Sequence, residues 1–189
     1  QNKTVMFVTD HFSLYGIGYK DSLPLEFNDT VNHWAKSDID FVTTRGLLNG
    51  LGNNKFSPDT PITRGMLITA LGKLVNININ NYTNSSFIDV KNTDYYMPYI
   101  EWGNKNEILK GISTLNFAPN QSITSEEMAA IITNFVKQTD YKLANVYSEN
   151  IFYDNGNFSS YAKDSIKYMY MAGIMIGKCN NNFEHQGIV

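Results

Sequence analysis

A pattern that recurs three times along the chain constrains its fold more than any other feature. Phe27-Asn28-Asp29, Phe87-Ile88-Asp89 and Phe152-Tyr153-Asp154 align, and each is followed by an aromatic residue: Trp34, Tyr95 or Tyr161. Five residues beyond each aromatic stands an isoleucine (Ile39, Ile100, Ile166), and sixteen beyond it a glycine (Gly50, Gly111, Gly177). Six further on comes a phenylalanine: Phe56, Phe117 or Phe183. The first two copies stay in register through Ser57-Pro58 against Ala118-Pro119 and Ile62-Thr63 against Ile123-Thr124, with a period of about 60 to 66 residues. A period of this length describes small units that share a core, because one such unit buries too little surface to stand alone.

Each copy reads as helix, loop, helix. In the first, Trp34, Ile39, Val42 and the adjoining Phe41 recur at helical spacing from a polar start, which predicts an amphipathic helix over residues 33–45, ended by Gly46 and Gly50. The run Leu51-Gly52-Asn53-Asn54-Lys55-Phe56-Ser57-Pro58 is dense in turn formers and is expected to be an exposed loop. Thr63 then begins a second helix, its hydroxyl placed to accept a first-turn N–H, with Ile62 and Leu67 at the two positions of a hydrophobic staple. The second copy repeats this design with Ile123 and Met128, and Glu127 completes a Thr-x-x-Glu capping box with Thr124. The third copy reaches only Val189, the counterpart of Ile62 and Ile123, so either its second helix lies in a continuation of the chain or a partner segment is expected to fill that place.

The first twenty or so residues differ in kind. Val5, Phe7, Phe12, Leu14, Ile17 and Tyr19 form short alternating runs about a turn near Asp10-His11, and are read as the last hairpin of an upstream β-domain, since two strands alone are marginal in water. Connectors fall at residues 76–85 and 140–149. The expected organisation is therefore terminal strands over 1–22, repeats over 23–81 and 82–145, and a third repeat over 146–189, all within a longer chain.

Charge and cysteine content narrow the function. The net charge is -3, Arg45 and Arg64 are the two arginines, and no Lys/Arg cluster offers the basic face that a nucleic acid requires. Cys179 is the single cysteine, which rules out an intrachain disulfide and a Cys/His zinc spacing. No apolar run is long enough to span a bilayer, so no membrane insertion is expected. His11, His33 and His185 lie in unrelated contexts and no nucleophile-elbow, zinc-protease or phosphate-loop motif occurs, so the region is expected to be non-enzymatic and without a cofactor. The twelve tyrosines and abundant asparagine suit carbohydrate contact, although a compositionally biased genome gives the same profile.

The succession Phe-x-Asp, Trp34-Ala35, Ile39, Gly50, Phe56-Ser57-Pro58 and Ile62-Thr63-Arg64 resembles the S-layer homology repeat over roughly residues 25 to 189. That resemblance implies a mainly α fold of tandem repeats in a three-pronged, pseudo-threefold assembly. It further implies a secreted, cell-surface module whose grooves bind a secondary cell-wall polysaccharide, often carrying pyruvylated N-acetylmannosamine, and so anchor a surface protein without covalent attachment. The family's Thr-Arg-Ala-Glu motif is split here: Thr63-Arg64-Gly65-Met66 keeps the arginine, and Thr124-Ser125-Glu126-Glu127 keeps the capping box. A planar guanidinium suits the carboxylate of a pyruvyl ketal. The groove beside Arg64 is thus expected to be the main site, and Arg64, neither cap nor staple, is expected to be dispensable for folding.

Other candidates carry two readings each. Asp29, Asp89 and Asp154 suit sugar hydroxyls, but an aspartate in a turn before a helix more often binds backbone N–H groups. Trp34 is a sugar platform or a core residue on the apolar face of its helix. Gly50, Gly111 and Gly177 serve backbone geometry or close approach of a ligand. Lys110 and Lys178 flank two of these glycines and either offer a cation to a groove or remain solvated. The rival class is a calcium-stabilised, dockerin-like docking module, faintly suggested by Asp154-Asn155-Gly156-Asn157 and Asn53-Asn54, which lack the alternating carboxylates of a full calcium loop. A further alternative makes the region an appendage of a cell-surface glycoside hydrolase.

Overall fold

The computed structural model describes residues 25–189, and the expected N-terminal hairpin lies outside them. Among the described residues five α-helices carry the architecture: α1 (Lys36–Thr44), α2 (Arg64–Leu74), α3 (Met97–Lys105), α4 (Ser125–Gln138) and α5 (Lys163–Met171). Among the described residues there is no named strand, only three isolated bridges, so the fold is mainly α.

The helix starts follow their caps. Thr63 accepts from the Met66 N–H at 3.2 Å, and Thr124 and Glu127 satisfy each other's backbone N–H groups in a complete capping box. The ends are as regular. After α1, α2, α3 and α5 the chain turns through a left-handed residue, Gly46, Asn76, Glu107 or Gly173. The next N–H then reaches back to the helix's third-last carbonyl: Leu47 to Val42, Ile77 to Gly72, Ile108 to Gly103 and Ile174 to Met169. This paired closure satisfies the orphan carbonyls of the last turn.

Packing crosses the repeats. The closest helix pairs are α2 with α3 and α4 with α5, so each second helix packs on the first helix of the next repeat. One apolar cluster joins α2, α3 and α4 around Ile68, Ile100, Phe117 and Ile123; another surrounds Phe152, Ile166, Met169 and Phe183. Ile132, Leu143 and Tyr168 pack against both and make them continuous. At the axis three backbone bonds close a ring: Ile62 N–H to Val189 O (2.8 Å), Val189 N–H to Ile123 O (3.2 Å) and Ile123 N–H to Ile62 O (3.0 Å). The three equivalent residues thus sit about a pseudo-threefold centre.

The first helix departs from its expected bounds. It begins at Lys36 rather than residue 33, because residues 30–36 run through successive tight turns in which His33 donates to Thr30 O and Lys36 to His33 O. Trp34 therefore lies before the helix, is 87% exposed and does not pack in the core. Ile39 is buried as expected, whereas Phe41 is exposed beneath the Arg45 guanidinium, 3.5 Å from its ring centre.

Candidate functional site

The loop after each first helix is built in the same way three times. Asp29 accepts the N–H groups of Phe56 and Ser57 at 2.9 and 2.8 Å, Asp89 those of Phe117 and Ala118 at 2.9 and 2.7 Å, and Asp154 those of Phe183 and Glu184 at 2.9 and 2.8 Å. Ser57, Ala118 and Glu184 all have φ near +60°, a conformation unfavourable to a side-chain-bearing residue. The paired bonds hold them there, so each aspartate, itself in a turn ahead of its helix, binds backbone N–H groups as expected and in doing so braces a loop 27 to 30 residues further on. The Phe56 N–H in particular, followed by Ser57 N–H and nearby Lys55, holds the Asp29 carboxyl below its usual range against the opposing effect of burial.

The aligned glycines lie beneath the phenylalanine of each Phe-x-Asp. A methyl on Gly111 would meet Phe87 Cε1 at 2.6 Å and the carbonyls of Asn116 and Ser113 at 2.5 Å. Gly177, at φ +79°, would meet Phe152 Cε1 at 2.7 Å, and Gly50 faces Phe27 and the Lys55 carbonyl in the same manner. The backbone comes too close for any side chain at these positions.

Two grooves open beside these loops. The larger, about 460 Å³, has a floor of residues 108–112, including Lys110 and Gly111, and walls from Arg64, Glu127, Asn134 and Tyr161. The smaller, about 280 Å³, is its counterpart one repeat earlier, with a floor of residues 47–51, including Gly50, and walls from Met66, Lys73 and Tyr95. In both, the aromatic that aligns with Trp34 comes from the following repeat. Trp34 itself lines neither groove. Lys178 is held by Glu184 at 3.0 Å.

Arg64 projects from the first repeat into the groove of the second. Its Nε donates to Phe117 O (3.1 Å), one terminal nitrogen to Glu127 (3.1 Å) and the other to Lys110 O (2.8 Å), and its guanidinium lies 4.9 Å above the Phe117 ring. The residue is 5% exposed. Burial pulls its pKa down and Glu127 partly restores it, but a guanidinium stays charged. The expectation that Arg64 is structurally idle is therefore corrected: it clamps one repeat to the next as well as lining the groove. Glu127 likewise has a second role, since one carboxylate oxygen serves the cap and the other the arginine.

Sequence reasoning missed Tyr161 as a wall residue, although its alignment with Trp34 marked the position. Its ring is more than half exposed, while burial, then Glu126 and Glu127, push its phenol up to about 12. The groove thus combines two cations, one carboxylate, an aromatic wall and the exposed apolar ledge of Ile112.

The model of the S-layer homology domain matches residues 26–65 and 86–129. Over 97% of its length the chain is 32% identical to an amylopullulanase of Thermoanaerobacterium thermosulfurigenes, of which it covers 10%. It is 34% identical to exoglucanase XynX of Acetivibrio thermocellus over 86% of the chain and 15% of that protein. It is 26% identical to the S-layer protein sap of Bacillus anthracis over 56% of the chain and 13% of that protein. The chain thus spans a small part of each of these relatives, and among its described residues no helix is long and apolar enough to cross a membrane. The alignments, the repeated loop bracing and the helical packing agree: this chain carries tandem S-layer homology domains.

Proposed function

We propose that the chain is a non-catalytic anchoring region that holds a secreted protein to the bacterial cell surface by binding an anionic, pyruvylated secondary cell-wall polysaccharide. The Arg64 groove is the main site, within repeats spanning 23–81, 82–145 and 146–189. The observation that carries this reading is the convergence of Arg64 and Lys110 on a groove walled by Tyr161. Arg64 uses three of the five N–H donors of a guanidinium in the clamp, which leaves two, and supplies a fixed positive field from beneath. Lys110 is the exposed cation that meets a carboxylate directly. The Tyr161 face and the Ile112 ledge suit the apolar faces and methyl groups of an acylated sugar. Asp29, Asp89 and Asp154 contribute by bracing the loops and Gly50 and Gly177 by shaping them, while Trp34, exposed on the first repeat, offers its ring at the position equivalent to Tyr161.

The relatives named as an amylopullulanase and an exoglucanase favour a cargo that degrades polysaccharides, with this chain as its attachment region. Calorimetry with a pyruvylated wall saccharide tests the site on wild type and Lys110→Ala. Loss of one charge-assisted contact should weaken binding about tenfold with the fold unchanged. Unaltered affinity in Lys110→Ala would remove that residue from the site, and no binding by wild type would overturn the reading.

A further inference from the structure

Glu126, at the position of Gly65 in the first repeat, is 2% exposed, and its partners are neutral groups of the third repeat. Its carboxylate accepts from the Ser159 N–H (3.1 Å), the Ser159 hydroxyl (2.9 Å) and the Gln186 side-chain amide. A buried carboxylate is tolerated only where donors match its oxygens, so these bonds fix their owners firmly. Ser159 opens a tight turn closed by Ala162 N–H donating to Ser159 O at 2.9 Å, and Tyr161 lies inside that turn. The first groove has no such device: at Gly65 a methyl would already stand 3.0 Å from Pro119 O and 3.1 Å from the Tyr96 ring.

We infer that Glu126 is a positioning residue for the Arg64 groove: by clamping the turn over residues 159–162 onto α4 it sets Tyr161 as the groove wall, and so couples saccharide binding to the seating of the third repeat. This rests on the saccharide reading above. The groove is assembled from three repeats, with Arg64 from the first, Lys110 and Glu127 from the second and Tyr161 from the third. A ligand touching all three binds best when the third is seated, and in turn holds it there.

The test is a double-mutant cycle on the whole chain, with affinity for a pyruvylated wall saccharide measured for wild type, Glu126→Gln, Tyr161→Ala and the double variant. Glu126→Gln should weaken binding about three- to tenfold, and this loss should vanish once Tyr161 is alanine. Equal, additive losses in the two backgrounds would overturn the inference, since a general structural effect does not depend on Tyr161. If Glu126→Gln does not fold, Ser159→Ala enters the same cycle. Without ligand, backbone amide exchange at Ser159 and Ala162 should quicken selectively in Glu126→Gln. Unchanged exchange there overturns the clamp whether or not saccharide binds. A wild type that fails to bind, with exchange altered as expected, overturns the saccharide reading and the coupling while the clamp stands.

Discussion

Replacing Arg64 with alanine should destabilise the protein substantially, although Arg64 neither caps a helix nor belongs to a staple. The substitution removes three hydrogen bonds and a cation–ring contact from a residue that is 5% exposed. It leaves the carbonyls of Phe117 and Lys110 without these donors, and Glu127, whose side chain is 22% exposed, without its cation. Breaking a buried ion pair on one side costs about 3–5 kcal/mol. Partial exposure of Glu127 places the expected loss near the lower end of that range. For a domain of this size about 3 kcal/mol corresponds to a fall in Tm of roughly 6–12 °C. Arg64→Lys should recover part of the loss, because an ammonium restores charge beside Glu127 but lacks the planar fork that spans two carbonyls and a carboxylate. Urea titration followed by circular dichroism measures all three proteins, with Lys73→Ala, at a half-buried wall residue of the smaller groove, as a control. A loss below about 1 kcal/mol in Arg64→Ala would refute the clamp, because that is the scale of a single surface ion pair.

Further outcomes follow from the same geometry. Gly111→Ala should cost about 1–3 kcal/mol by overpacking, given its 2.6 Å approach to Phe87, whereas Gly52→Ala meets no neighbour within 4 Å and is resisted only by its φ of +97°; urea midpoints separate the two. The folded Asp29 pKa lies below the ordinary 3.8, so its contribution is present above that value and is lost as pH falls through the folded pKa. The stability gap between wild type and Asp29→Asn should therefore close in acid, and a gap that stays constant below pH 4 would contradict the assignment. The first N–H groups of α2 donate to Gln121 and Pro119 in the next repeat, and those of α4 to Gly187 and His185. By the pseudo-threefold pattern the matching position lies beside α1, so a Thr-capped helix of about 15–20 residues added after Val189 should raise the Tm, and an unchanged Tm would argue against docking there.

What the sequence made legible was local. The Thr63 cap and the Thr124–Glu127 box act within four residues, so their chemistry is visible in the string itself, and both form. The repeated Phe-x-Asp and glycine marked the braced loops, although which groups the aspartates bind depends on residues 27 to 30 positions away. Trp34 was misplaced because helical spacing holds equally for a residue inside the first turn and for one just before it; the turns at residues 30–36 decide the matter. Arg64 was misjudged for a different reason. Its partners stand 46, 53 and 63 residues away in the next repeat, where no periodicity or cap rule reaches. Glu126 is similar, since a glutamate in a helix's first turn reads as a solvated charge at a favourable helix end, and its burial is a product of the third repeat folding over it.

The most direct test of the anchoring role is cosedimentation of the chain with purified wall sacculi carrying their polysaccharide, before and after mild acid removal of pyruvate. Binding to intact sacculi should be saturable, fall clearly after pyruvate is removed, and be competed by the soluble pyruvylated saccharide. Equal binding to intact and depyruvylated sacculi would contradict recognition of the anionic ketal. Failure to bind sacculi at all would contradict anchoring itself.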